Sequence, residues 1–281
     1  MSIQSLETMT TTLSWKSISY EQIGEGVPIV FLHGIPLDRR ALKNPMEDSL
    51  KNINGYKRIY LDLPGMGQSG KINRVYSSDD MVEILNEFIT DVIGDAKFLL
   101  VGQSYGAYLS LGLLLKNVNS INGVFLICPC TVPDRSKRIL PVKKELDWSN
   151  PFINKYKKEE TFVDYLNFTE VRNEQTWKKY QEDIIPGMKI ADLEFINQLQ
   201  ATGYEYTYHN ELKNLKFRKP STILTGSQDA CVGFEDAFKL TPNFEHLTFS
   251  VLDNTGHNLQ IEHPELLKVY FKDWISRVEK N

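Results

Sequence analysis

Short runs of apolar and β-branched residues recur along this chain with helical patterns between several of them, and this alternation limits the fold more than any other feature. The runs are Pro28–His33 (PIVFLH), Lys57–Leu63 (KRIYLDL), Lys97–Val101 (KFLLV), Ile121–Cys128 (INGVFLIC), Ser221–Thr225 (STILT) and Leu247–Leu252 (LTFSVL), preceded by a β-rich stretch at Leu13–Tyr20. A continuous apolar run bounded by turn residues reads as a strand buried on both faces. Helical spacing occupies Met81–Ile93, Tyr108–Leu115 and Pro264–Val278, where Leu267, Tyr270, Phe271 and Trp274 fall on one face. Strand then helix, repeated, predicts an α/β fold with a mostly parallel sheet and helices on both faces. Ligands in such sheets bind beyond the carboxyl ends of the strands, so the residues just after each run are where chemistry is expected.

One region breaks the rhythm. From about residue 131 to 212 the chain is richly charged, has no convincing strand, and scatters Trp148, Phe152, Tyr156, Phe162, Tyr165, Phe168, Trp177 and Tyr180 through helical patterns. Strands return at Ser221. We read this as a helical lid inserted into one core domain built from residues 1–130 and 213–281, with the lid aromatics expected to line an apolar pocket. A length of 281 residues suits one large domain with an insertion.

The balance of 32 basic against 36 acidic residues leaves a net charge of −4, without the basic footprint that holds nucleic acid. A small neutral or weakly charged partner is expected instead. The N-terminal MSIQSLETMTTTLSW has neither the positive nor the apolar segment of a secretory signal, and no apolar run approaches bilayer length, so a cytoplasmic protein without a membrane span is expected. Three cysteines supply no disulfide framework, and the spacing of Cys128 and Cys130 suits neither zinc nor a redox pair. All three read as buried structural residues, and no metal site is expected. Oligomeric state is not legible.

The strongest local signal is Gly102-Gln103-Ser104-Tyr105-Gly106, between the run KFLLV and a helical pattern. A nucleophile elbow projects a serine hydroxyl from a sharp turn, and glycines two residues to either side remove side chains that would strike neighbouring backbone. A serine hydroxyl is a weak nucleophile near neutral pH, so it needs a histidine to take its proton and an acid to orient that histidine. His257 follows the last run and precedes the closing helix, whereas His209 lies in the insertion, His246 begins a strand and His263 begins a helix. Asp229 follows STILT, and the order Ser104, Asp229, His257 is the one expected of this sheet type. Asp134 is a weaker candidate acid, and Asp253 reads as a turn residue. The oxyanion requires aimed N–H donors: Tyr105, next after the serine, and Ile35, since Pro36 has no N–H and Gly34 permits close approach. His33 reads as a residue that ties its loop in place.

HGIP at 33–36, DLPGMGQS at 62–69, GQSYG at 102–106, the acid at 229 and TGH at 255–257 together resemble the α/β-hydrolase superfamily, in its HG-x-P branch with an inserted lid. The resemblance spans about residues 13 to 278 apart from the lid. It implies an α/β-hydrolase fold of about eight strands with the lid after the sixth, a Ser-His-Asp triad, and no metal or organic cofactor. Serine at 104 departs from the aspartate of epoxide hydrolases and haloalkane dehalogenases. HGIP departs from the HGGG-type esterases, and Gln103 and Tyr105 depart from the elbow of prolyl aminopeptidases. The turn within 62–69 is expected to shape the sheet edge. The implied activity is a serine hydrolase for a small ester, thioester, lactone or related acyl compound. The alternatives are a C–C bond hydrolase, a prolyl-aminopeptidase-like enzyme, an acyltransferase and a non-catalytic receptor of the same fold, for the fold alone does not choose a substrate.

Overall fold

Each of the later apolar runs becomes a strand of one sheet in the computed structural model, which describes residues 14–50, 53–72, 75–142 and 145–281. In chain order the core begins with β1 (Tyr20–Ile23), β2 (Val27–Leu32), α1 (Arg40–Leu50), β3 (Tyr56–Leu61), α2 (Ser78–Ile93), β4 (Phe98–Gln103), α3 (Tyr105–Asn117) and β5 (Ile121–Ile127). Among the described residues five α-helices follow before the next strand: α4 (Pro151–Tyr156), α5 (Phe162–Phe168), α6 (Glu174–Asp183), α7 (Ile185–Ile190) and α8 (Leu193–Thr202). The chain closes with β6 (Ser221–Gly226), α9 (Glu235–Phe238), β7 (Leu247–Leu252), α10 (Leu259–Glu262) and α11 (Pro264–Glu279).

The sheet runs β1-β3-β2-β4-β5-β6-β7, parallel throughout except that β1 is antiparallel to β3. From β2 the chain steps to one side for β3 and to the other for β4, so the winding reverses between β2 and β4. At such a reversal the connections leave in opposite directions and a crevice opens beyond the carboxyl ends. Those ends carry His33–Ile35 and Ser104.

β4 and β6 are buried throughout, as strands covered by helices on both faces are. Phe125 of β5 packs against Phe271 and Trp274 of α11, with ring centroids 5.3 and 5.5 Å away, while the indole N–H of Trp274 donates to Pro220 O at 3.0 Å. α3 is buried from Tyr105 to Leu114, the behaviour of a helix apolar on all sides. Ser77 and Asp80 start α2 with reciprocal side-chain to backbone bonds that satisfy its first N–H groups.

Two expectations need correction. Residues 1–13, including the start of the expected strand at Leu13, lie outside the described residues; the rest of that stretch opens as a single tight helical turn at Ser14–Ser17, and the strand begins at Tyr20. Trp15 meets Phe88 edge-on at 5.9 Å instead of entering the sheet, and Ile18 N–H closes back on Trp15 O at 2.8 Å. Among the described residues the sheet therefore has seven strands, and the helical insertion follows the fifth of them.

The insertion carries its own apolar cluster. Phe162, Tyr165, Trp177 and Tyr180 pack ring on ring and join the core through Leu37, Ala41 and Ile261. Among the described residues no helix is long and apolar enough to cross a membrane.

Candidate active site

Ser104 sits between β4 and α3 with φ of +53°, a left-handed conformation that side chains other than glycine seldom adopt. The surroundings hold it there: Ser104 N–H donates to Ile127 O at 3.0 Å, and its carbonyl accepts from Ala107, Tyr108 and Cys130 N–H. Both flanking glycines are sterically required. A Cβ at Gly102 would lie 2.6 Å from Ala107 Cα, and one at Gly106 would lie 2.1 Å from Leu32 O. Since that oxygen belongs to a central strand, Gly106→Ala is expected to destabilise the fold by about 3 kcal/mol, measured as a lower urea midpoint with an unchanged m-value.

The structure brings His257 and Asp229 to this serine. The Ser104 hydroxyl lies 2.9 Å from His257 Nε2, and His257 Nδ1–H donates to Asp229 Oδ2 at 2.8 Å. Asp229 Oδ1 accepts from Cys231 N–H at 2.8 Å and Val232 N–H at 3.0 Å, and the carboxylate is fully buried. The loops carrying the two residues interlock: a Cβ at Gly226 would strike Thr255 O at 2.3 Å, and Thr255 N–H donates to Gln228 Oε1 at 2.9 Å.

Burial disfavours an imidazolium at 257, but the Asp229 carboxylate overrides it and holds the histidine well above its ordinary pKa. Burial works upward on Asp229, yet His257 and the Val232 and Cys231 N–H groups keep its carboxyl below the ordinary carboxylate range. Asp229 therefore keeps a proton on Nδ1, and Nε2 faces the hydroxyl as an acceptor once the ring has lost its second proton.

Sequence reasoning missed how the histidine loop is clasped. His257 N–H donates to Phe168 O, at the end of α5, at 2.8 Å. Glu262, 5% exposed, accepts from Gly256 N–H at 3.1 Å on one side and from Glu170 and Val171 N–H at 2.7 and 3.0 Å on the other. Burial pushes the Glu262 carboxyl above its ordinary range against these three donors. No local pattern marks Glu262, because two of its three donors lie about ninety residues away.

Tyr105 and Ile35 fall beside the serine. Among the described residues neither backbone N–H has an acceptor within the protein, as the first donor of α3 would not. A Cβ at Gly34 would meet Ser104 Cβ at 3.0 Å, so the Gly34–Ile35 loop lies against the nucleophile position. The Tyr105 ring is buried, with its hydroxyl 2.7 Å from Ser78 Oγ. His33 Nδ1–H donates to Gly34 O at 2.8 Å and Nε2 accepts from Leu63 N–H at 3.0 Å. Both ring nitrogens are used in tying this loop to the next. Asp62 likewise shapes its own turn, accepting from Arg39 and Gln68 N–H at 2.8 Å each.

The remaining candidates stand apart from the imidazole. Asp134 is exposed and accepts from Ser136 and Lys137. His209 meets Tyr108 OH at 3.2 Å, His246 is exposed beside Glu245, and His263 bonds Asn254 O. The Asp253 carbonyl accepts from the Thr255 hydroxyl in a turn.

Ser104 and His257 open onto a cavity of about 690 Å³, a size suited to a small organic molecule. Its wall departs from expectation: of the insertion aromatics named above only Phe168 and Tyr180 line it, while Phe162, Tyr165 and Trp177 fill the insertion's own interior. Tyr204, Met188, Ile184 and Arg138 also line it, together with Gln103, whose buried amide has no partner among the described residues. Cys128 and Cys130 are buried, as expected, but Cys231 is half-buried and lines the cavity. Cys128, Asp229 and His257 offer ligand atoms within 4.8 Å of one another. Burial pushes the Cys128 thiol up to about 12, and Asp229 and His257 are already bonded together, so this group is arranged to hold a proton between two side chains in preference to a cation.

Comparison with known proteins agrees with this architecture. A family model described as the alpha/beta hydrolase fold matches residues 27–264. A solved alpha/beta superfamily hydrolase from Oenococcus oeni PSU-1 is 38% identical, with a TM-score of 0.84 over 94% of this chain and 97% of that one. The curated 2-hydroxy-6-oxo-6-(2'-aminophenyl)hexa-2,4-dienoic acid hydrolase of Metapseudomonas resinovorans is 22% identical over 268 residues, 88% of this chain and 83% of its own. A thermophilic esterase from Thermogutta terrifontis shares the fold at 20% identity, with a TM-score of 0.69 over 98% and 99% of the two chains. Because the family model and the Oenococcus relative both span most of its length, this chain belongs to the alpha/beta hydrolase fold family of enzymes.

Proposed function

We propose that this protein is a serine hydrolase that cleaves a small ester, thioester or related acyl compound through an acyl-enzyme. The observation that carries the reading is the unbroken hydrogen-bonded relay from Asp229 through His257 to Ser104, at 2.8 and 2.9 Å, opening onto a cavity. Ser104 Oγ attacks the carbonyl carbon as its proton passes to His257 Nε2, and Asp229 steadies the imidazolium that forms. The oxyanion takes hydrogen bonds from the Tyr105 and Ile35 N–H groups. His257 returns the proton to the departing alkoxide or thiolate. Water, deprotonated by the same nitrogen, then opens the acyl-enzyme and releases the acid while Ser104 regains its proton. Every step uses side chains, backbone and water of this one chain. In this reading residues 131–212 serve as the lid over a small-molecule acyl substrate, and the setting is cytoplasmic.

Because the imidazole works as a base only when neutral, kcat/KM is expected to rise with pH through an inflection above the ordinary 6.5 of histidine. A stopped-assay profile from pH 5 to 9, about two units either side of neutrality, measures it, and a profile flat across that span contradicts the raised value. The reading itself is tested by labelling with a fluorophosphonate and by a chain-length series of p-nitrophenyl esters set against aminoacyl p-nitroanilides. Activity on the anilides alone favours a peptidase. Inertness of the folded protein to both reagents favours a receptor. Likeness to the Metapseudomonas enzyme supports a second reading, hydrolysis of a C–C bond by the same three residues, distinguished by turnover of a vinylogous diketone.

A further inference from the structure

Among the described residues, Arg138 is the charged side chain of the cavity wall that is neither paired nor fully in solvent. Asp134 is matched by Lys137 at 3.1 Å, and Arg135 and Glu205 are exposed. Arg138 is half-buried, and no carboxylate oxygen among the described residues lies within 4.0 Å of its guanidinium nitrogens. Its Nε donates to Val132 O at 2.7 Å, Nη1 to Cys231 O at 2.9 Å, and Nη2 to Pro133 O at 3.0 Å and to Cys130 Sγ at 3.2 Å. These acceptors orient the group but carry no opposite charge, and they leave one N–H on Nη1 without a partner among the described residues.

The place of this cation is fixed relative to the reacting atoms. Cys130 N–H donates to Ser104 O at 3.2 Å, and Cys231 N–H donates to Asp229 Oδ1 at 2.8 Å. The guanidinium is thus braced on the two residues that also brace the nucleophile and the acid. A rigid, half-desolvated, uncompensated guanidinium on a cavity wall raises the local potential, and a carboxylate reaching it gains a charge-assisted hydrogen bond without ordering a flexible side chain.

We propose that Arg138 recognises an anionic group on the substrate: the acyl compound carries a carboxylate that meets this guanidinium while its scissile carbonyl lies at Ser104. This inference deepens, and rests on, the serine-hydrolase reading above. It narrows the expectation of a neutral or weakly charged partner, since the chain's overall charge of −4 says nothing about one wall of one cavity.

The test compares monomethyl succinate, glutarate and adipate with methyl esters of uncharged straight-chain acids of matching length, followed by pH-stat at low and high salt. At the best chain length the wild-type protein is expected to favour the anionic ester by about tenfold to a hundredfold in kcat/KM, mostly through KM, the size of a hydrogen bond to a charged group. That preference should shrink with added salt while the neutral ester is unaffected. Arg138→Gln should bring the ratio of anionic to neutral kcat/KM to about one, and Arg138→Lys, which keeps the charge and loses the fork, should restore part of it. Free glutarate should slow fluorophosphonate labelling of Ser104, and glutaramide should not.

A wild type that takes the neutral ester as well as the anionic one, or an Arg138→Gln protein that keeps the preference, overturns the inference and leaves Arg138 a staple between two loops. Should the variants fail to fold, the wild-type ratio and its salt dependence still decide. Turnover of neutral esters that is lost in Ser104→Ala shows that the hydrolase reading stands even where the anion preference fails; absence of Ser104-dependent labelling sinks both.

Discussion

Ser104→Ala is expected to lower kcat for any accepted ester by about 10⁴-fold or more and to abolish fluorophosphonate labelling, while KM and thermal stability change little. The size follows from the nucleophile being removed outright: what remains is the rate that two N–H donors and a binding cavity can give to attack by water. Folding is spared because alanine meets the same φ of +53° as serine, with the same backbone bonds to Ile127, Ala107, Tyr108 and Cys130. Retention of more than about a tenth of the wild-type kcat would place the chemistry elsewhere and end the acyl-enzyme mechanism.

Asp229→Asn should be nearly as damaging, about 10⁴-fold in kcat, although the substituent has almost the same shape. The geometry explains why. Oδ1 accepts two backbone N–H groups, from Cys231 and Val232, so an asparagine must keep its oxygen on that side. Its amide nitrogen then faces His257 Nδ1 and donates to it, which forces the ring proton onto Nε2, where it points at the serine and blocks proton abstraction. The charge that held the histidine above its ordinary pKa is also gone while burial remains, so the pH inflection of the residual activity should move below that of the wild type. A pH–rate profile of purified Asp229→Asn protein reads both effects together, and unchanged kcat with an unchanged inflection would exclude Asp229 as the orienting acid.

Much of this arrangement was legible before any coordinates, for physical reasons that differ by element. Strands β2, β4, β5 and β6 are buried along most of their length and are built mainly from apolar and β-branched residues, so these runs mark the strands within a residue or two. The segment before β1 has no such constraint. Trp15 and Ile18 look like strand residues, but Trp15 packs edge-on against Phe88 and Ile18 N–H closes back on Trp15 O, which forms a tight turn in place of an extended chain. Ser104 follows β4 directly, and Asp229 and His257 lie in the loops just beyond β6 and β7, so local spacing points to them. Arg138, Tyr204 and Glu262 were not nominated, because their significance lies in contacts between segments far apart in the chain. The insertion aromatics show the same limit from the other side: composition located them, but only packing separates Phe168, beside the histidine ring at 6.3 Å, from Trp177, closed inside its own cluster.

The carbonyl of Phe168 and the carboxylate of Glu262 bond the helices between β5 and β6 to the loop that carries His257. A flap hinged only at its two ends swings freely; the lid proposed here is bonded to the backbone N–H of His257. On the proposed mechanism, wholesale opening would unseat the base as substrate enters, and a substrate that arrives through the mouth of the cavity leaves these bonds intact.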